Sequence, residues 1–221
     1  MPLALSSDFL PLVGVYVVCL VLSIAVHEYC HALAAARLGD PTPEQEGRLT
    51  LNPLAHADPI GTLTLPVLGA LFSWPLFGWG RPVPTQPRYY TRKVSMRGGM
   101  ALVAAAGPAG NVAFGAVVLA LAGGLAAAGA LNPQVGRLLA QLFQLNVLLC
   151  VFNLLPLHPL DGGKILAALL PARFEYIDDF LQRYGGWILI ALIFAGGRLL
   201  SFLFSPVFAV TGQLWQLVVA A

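Results

Sequence analysis

Four stretches of this sequence contain no Asp, Glu, Lys or Arg: Pro59 to Gly80, Gly98 to Gly136, Leu138 to Leu160, and Leu199 to Ala221. A fifth, from Phe9 to Ala36, contains only Glu28. About 20 apolar residues cross the hydrocarbon core of a bilayer, so most of these runs are long enough to span it. Composition agrees. Of the 221 residues, 58% are hydrophobic and 10% charged, against roughly 45–50% and about 25% in soluble domains. The expected fold class is an all-α polytopic membrane protein, multi-pass and integral, with the lipid bilayer as its main solvent. The net charge of +2 is small, and no basic face interleaved with stacking aromatics marks a nucleic-acid partner.

The chain divides into about five to six membrane segments. Pro11 fits the first turn of a helix that runs to Leu38, where Gly39-Asp40-Pro41 supplies the stop. The loop over 42–58 is the most polar part, and Arg48-Leu49-Thr50-Leu51-Asn52 alternates with period two. That alternation predicts a short β-strand or hairpin with Leu49 and Leu51 facing the core. Three prolines and several glycines interrupt Pro59 to Gly80, which predicts a re-entrant or broken segment. Gly78 to Gly98 holds Arg81, Arg88, Arg92, Lys93 and Arg97 without an acid, the pattern of a cytoplasmic loop. Helices are expected from about Ser95 to Ala128, from the Asn132-Pro133 turn to about Leu155, and from Asp161 to about Leu170. A further span is expected over Gly185 to Phe204, and the last piece from Pro206 is short for a crossing. With so many segments in 221 residues, the expectation is a single membrane-embedded domain covering 1–221.

His27-Glu28-Tyr29-Cys30-His31 is an HExxH sequence on the first helix. Positions i and i+4 share a helix face, so two imidazoles can bind one zinc ion while the intervening Glu acts on a metal-bound water. A chance HExxH is expected at about one in a thousand for this composition. Ionisable residues within a membrane segment are costly, and three within five positions point to chemistry. Catalytic zinc sites usually have three protein ligands, so a third must come from elsewhere. Asp161 is best placed, an acid at the end of a span and followed by Gly162-Gly163, with His158 as its rival. His56, in the polar loop, reads as a solvated or interfacial side chain. Asn153 is a neutral amide that could donate to a developing oxyanion or bond between helices.

The HEYCH motif together with Asn153-Leu154-Leu155-Pro156-Leu157-His158-Pro159-Leu160-Asp161-Gly162-Gly163 resembles the site-2 protease family of intramembrane zinc metalloproteases. Gly107-Pro108-Ala109-Gly110-Asn111 matches a further family motif, and the similarity extends through Gly47 to Pro53 and Gly78 to Pro84. The resemblance implies that His27, His31 and Asp161 hold one catalytic Zn2+, that Glu28 is catalytic, and that Asn153 and Asn111 position the substrate or its oxyanion. It implies a compact form without a PDZ or CBS domain. His158 stands where an apolar residue or proline is expected, which keeps the third-ligand assignment open.

The expected function is endopeptidase cleavage of a transmembrane segment, the partner being a membrane protein with a single such segment. Glu28 would act as general base, in a prokaryotic cell membrane with the active site toward the cytoplasmic side. A metal-ion transporter would instead string acids or histidines across several spans, and a catalytically silent scaffold would have no use for Glu28.

Overall fold

The structure, a computed structural model, describes residues 9–72, 77–91 and 93–220. Three long helices form the core: α1 (Phe9–Arg37), α5 (Met96–Ala127) and α6 (Pro133–Asn153). Between α1 and α5 come the single turns α2 (Thr42–Gln45) and α3 (Pro53–His56), then a π-helical stretch over Pro59–Thr64 continued by α4 (Leu65–Phe72). After α6 follow α7 (Asp161–Leu169), α8 (Glu175–Ala195) and α9 (Gly197–Val219).

Local chemistry sets the ends. Gly39, at φ 98°, terminates α1 in a left-handed turn in which Asp40 N donates to Ala35 O at 3.0 Å and Gly39 N to Ala36 O at 3.0 Å. A side chain is disfavoured at that φ, which is why glycine stops the helix there. Ser95 Oγ caps α5 by accepting from Gly98 N at 3.0 Å, and Asn132 Oδ1 caps α6 by accepting from Val135 N at 2.9 Å. Leu20 and Ile24 of α1, Val118 and Ala122 of α5, and Leu139, Leu142, Phe143 and Leu145 of α6 make one buried cluster. α9 closes over it with Trp215 stacked on Phe143, ring centroids 5.8 Å apart.

Among the described residues four helices are long and apolar enough to cross a membrane: α1, α5, α6 and α9. Their outer faces carry large apolar side chains such as Val117, Phe202 and Leu217, exposed by 63–75%, a surface that suits lipid and not water. The apolar segment over 59–72 is different. At 1.5 Å per residue its 14 residues reach about 21 Å, short of the ~30 Å core. Its two ends also meet. Thr62 Oγ1 donates to Trp79 O at 2.8 Å, Arg81 N donates to His56 O at 2.8 Å, and Ala57 and Gly80 form an antiparallel bridge. The chain thus enters and leaves this excursion at one place; residues 73–76, and Arg92 of the basic loop, lie outside the described residues.

Three expectations need correction. Residues 48–52 form no strand: Arg48 is buried (4% exposed), its guanidinium bonds to Ala55 O, and Leu51 is 57% exposed. Among the described residues these five alternating positions have no ladder to join, while Pro43 and Pro53 start helical turns on either side and Asn52 Oδ1 accepts from Leu54 N at 3.1 Å. His56 is fully buried, with its Nε2 bonded to Thr50 O at 2.8 Å. Finally, the break near the C-terminus falls at Gly196 and not before Pro206, which lies inside α9. Ser205 Oγ sits 3.5 Å from Phe202 O, a side-chain donor at the carbonyl that the proline nitrogen cannot serve.

Candidate active site

The helical spacing of HExxH puts His27 and His31 on the face of α1 that meets α5. Both rings are buried and each has its Nδ1 engaged: His27 donates to Asn111 Oδ1 and His31 donates to Val103 O, both at 2.7 Å. A backbone carbonyl only accepts, so His31 carries its proton on Nδ1. Asn111 Nδ2 faces two acceptors, Ser23 O at 3.3 Å and Asn146 Oδ1 at 2.9 Å, so Asn111 Oδ1 is the atom turned to His27 and that ring is also Nδ1-protonated. The two Nε2 atoms, 3.0 Å apart, therefore present lone pairs to each other.

The α6–α7 connection delivers the third atom. Gly162 and Gly163 lie so close to the backbone of 154–158 that a Cβ on Gly163 would be 2.8 Å from His158 N, and one on Gly162 would overlap the Leu155 carbonyl. This tight return sets Asp161 at the start of α7, with Oδ2 at 3.2 Å from His27 Nε2 and 3.1 Å from His31 Nε2. Asp161 Oδ2 is buried and has no hydrogen-bond donor, while Oδ1 accepts from Lys164 Nζ at 3.3 Å. With both imidazoles neutral these are three electron-pair donors with no proton between them, an arrangement that a shared cation stabilises. Ligand atoms ~2.0–2.1 Å from a tetrahedral metal are about 3.3 Å apart, and the three separations here are 3.0–3.2 Å. The residues fit a metal ion, and among the described residues they form the one group of three or more His, Cys, Asp or Glu that could hold one.

Gly107 of α5 lets the helices close on this group. A Cβ there would overlap His31 Nε2 and lie 2.7 Å from His27 Cε1. Gly107→Ala should therefore lower metal affinity by about 10–100-fold, the loss typical of disturbed ligand orientation. Gly124→Ala, which meets nothing within 4 Å, should leave affinity unchanged; competition with a chromophoric chelator reads both.

Glu28 is half-buried and stands outside the three-atom group. Val83 N donates to its Oε2 at 2.9 Å, so the extended chain after the 59–80 excursion holds one oxygen and leaves the carboxylate off the metal position. Asn153 lies at the end of α6, half-buried, with Nδ2 donating to Leu149 O at 2.9 Å. His158 does not join the cluster. Its Nε2 pairs with Asp178 Oδ1 at 2.9 Å and ties the loop before Asp161 to α8. Sequence reasoning missed Val83, Ser23, Lys164 and Asn146. Only the amide of Asn146 in an apolar run was a signal that could have been followed.

Comparison with known proteins agrees with this geometry. The profile of peptidase family M50 matches residues 124–196. Over 217 residues the chain is 35% identical to a Bacillus subtilis protein named "Putative zinc metalloprotease YwhC", covering 90% of this chain and 94% of that one. The chain belongs to the site-2 protease family, peptidase family M50. Further relatives named "Putative zinc metalloprotease Rip2" come from Mycolicibacterium smegmatis, 34% identical over 82% of this chain and 68% of that one, and from Mycobacterium tuberculosis strain Erdman, 31% identical over 84% and 73%. No solved structure matches. Family membership makes this M50 chain a protease.

Proposed function

We propose that this M50 protein is a zinc-dependent intramembrane endopeptidase that cleaves the transmembrane segment of single-span membrane proteins, and that 1–221 acts as one membrane-embedded protease domain. The observation that carries the reading is the meeting of His27 Nε2, His31 Nε2 and Asp161 Oδ2, with Glu28 on the same helix and outside the ligand set. Those three atoms would hold zinc, the metal in the names of the relatives. Bound zinc would supply a Lewis acid that polarises the scissile carbonyl and acidifies water. Glu28, steadied through Oε2 by Val83 N–H, would take the proton of the attacking water and pass it to the leaving amide nitrogen. Asn153, whose Nδ2 has one hydrogen beyond its bond to Leu149 O, would donate to the developing oxyanion.

A transmembrane helix hides its carbonyls in i to i+4 bonds, so the substrate must unwind before it can react. An apolar cavity of ≈ 680 Å³ between α1, α6 and α9, walled by Leu20, Leu149, Phe152 and Phe204, offers room for apolar side chains during that approach. The test is metal exchange in proteoliposomes: a chelator should abolish cleavage of a single-span substrate, and one equivalent of Zn2+ should restore it. Cleavage that survives complete zinc removal would refute the reading.

Orientation follows from charge. The loop with Arg81, Arg88, Lys93 and Arg97 touches the end of α1, where Thr91 N donates to Leu38 O at 2.7 Å and Gln86 N to Asp40 Oδ2 at 2.5 Å. By the positive-inside rule this end, and the site near it, would face the cytoplasm, and the membrane proposed is a prokaryotic cell membrane. Gln45 and Arg88, both exposed, should react with an impermeant thiol reagent from the same side when each is replaced by cysteine in a cysteine-free background. Labelling from opposite sides would reject this topology.

A further inference from the structure

Ser23, Asn111 and Asn146 are each fully buried, one on each of the three core helices. Their hydrogen bonds run in one direction. Leu142 O can only accept, and it takes a hydrogen from Asn146 Nδ2 at 2.9 Å. Ser23 Oγ donates to Cys19 O at 2.7 Å and so accepts the other Asn146 hydrogen at 2.9 Å. Asn146 must then turn Oδ1 toward Asn111, whose Nδ2 fills it at 2.9 Å and fills Ser23 O at 3.3 Å. Asn111 has no donor left, and its Oδ1 faces His27 Nδ1 at 2.7 Å. Each step is forced by a backbone carbonyl at its far end. No solvent reaches the cluster to serve a group that turned the wrong way.

We infer that Asn146 and Ser23, acting through Asn111, are positioning residues that lock His27 in the Nδ1-protonated tautomer and so aim its Nε2 lone pair at the metal. This rests on the reading of His27 as a ligand. Which imidazole nitrogen binds a metal is set by the hydrogen bond that the other one makes. His31 obtains its lock from the Val103 carbonyl of α5, whereas His27 obtains one from a side-chain relay across three helices. The relay also gives Asn111 a task different from the one its motif suggests: both of its Nδ2 hydrogens are spent inside the protein, so it has none to offer a substrate oxyanion. Altering a merely structural polar network would change stability and leave the tautomer of His27 as it was, whereas altering one that sets the tautomer changes the tautomer as well.

The test is 15N NMR of histidine-labelled, metal-free protein in nanodiscs, joined to Zn2+ titration against a competing chelator. The unaltered protein should show His27 and His31 both protonated on Nδ1. Asn146→Leu removes the acceptor that holds the Asn111 amide and should shift His27 toward the Nε2-protonated form, lower Zn2+ affinity by about 10–100-fold, and leave the His31 signals in place. Asn146→Asp still offers Asn111 an acceptor in either protonation state and should keep tautomer and affinity near those of the unaltered protein. Asn111→Ala should reproduce the tautomer shift of Asn146→Leu. An Nε2-protonated His27 in the unaltered protein overturns the inference before any variant is made. It is also overturned if Asn146→Leu and Asn146→Asp lose affinity equally with the His27 tautomer unchanged. If the tautomers are as stated but the unaltered protein binds no Zn2+, the functional reading fails and the relay stands.

Discussion

Glu28→Gln should lower kcat by about 10²–10⁴-fold, the usual contribution of a positioned general base, while zinc content stays at one per chain. At 1.36 kcal/mol per tenfold this is about 3–5 kcal/mol of transition-state stabilisation. Two features make the separation clean. Glu28 is not among the atoms that converge on the metal position, and glutamine can still accept the Val83 N–H bond through its amide oxygen. The variant should thus fold, bind metal and retain substrate, failing only in proton transfer. Single-turnover cleavage together with zinc analysis checks it. A variant that had lost its zinc would make Glu28 a ligand and not a base.

Asp161→Asn should fail in the other way. It keeps the shape of the side chain but replaces the anion whose buried Oδ2 lies 3.1–3.2 Å from both imidazole nitrogens. Zinc affinity should therefore fall further than the ~10–100-fold typical of losing a partner that only orients a ligand, and activity should fall with it. His158→Ala is the control. His158 bonds to Asp178 Oδ1 at 2.9 Å, away from the cluster, so its removal should retain zinc and cost about 1–3 kcal/mol of stability through the lost bond to the partly buried Asp178, whose Oδ2 keeps Gln182 Nε2 at 2.8 Å. Zinc lost in His158→Ala but kept in Asp161→Asn would reverse the choice of third ligand.

Much of the candidate site could be read from the sequence because helical periodicity turns spacing into direction. His27 and His31 share a face of α1 whatever the rest of the chain does, and Gly162-Gly163 beside Asp161 marked a close backbone return. The start of α5 near Ser95 and the turn at Asn132-Pro133 before α6 were legible for the same local reason. Readings that depended on partners fared worse. The alternation over Arg48 to Asn52 looked like a strand, but among the described residues no neighbouring strand is there to pair with, and Arg48 turns inward to the Ala55 carbonyl. Pro206 looked like a helix stop, although Ser205 supplies a donor beside the carbonyl it leaves free. His56 looked solvated because its neighbours are polar, yet it is buried against Thr50 O. Asn111 and the Asn146 amide in its apolar run were visible singly, but the relay behind His27 was not, since Ser23, Asn111 and Asn146 come together only when three helices pack.

The most direct measurement is to map the cut by mass spectrometry. Purified, zinc-loaded protein in proteoliposomes would be given a single-span substrate, and the new termini identified. The account predicts cleavage at a peptide bond inside the transmembrane segment, present with the unaltered protein and nearly absent with Glu28→Gln. Termini found only outside that segment, or undiminished when Glu28 is replaced, would contradict it.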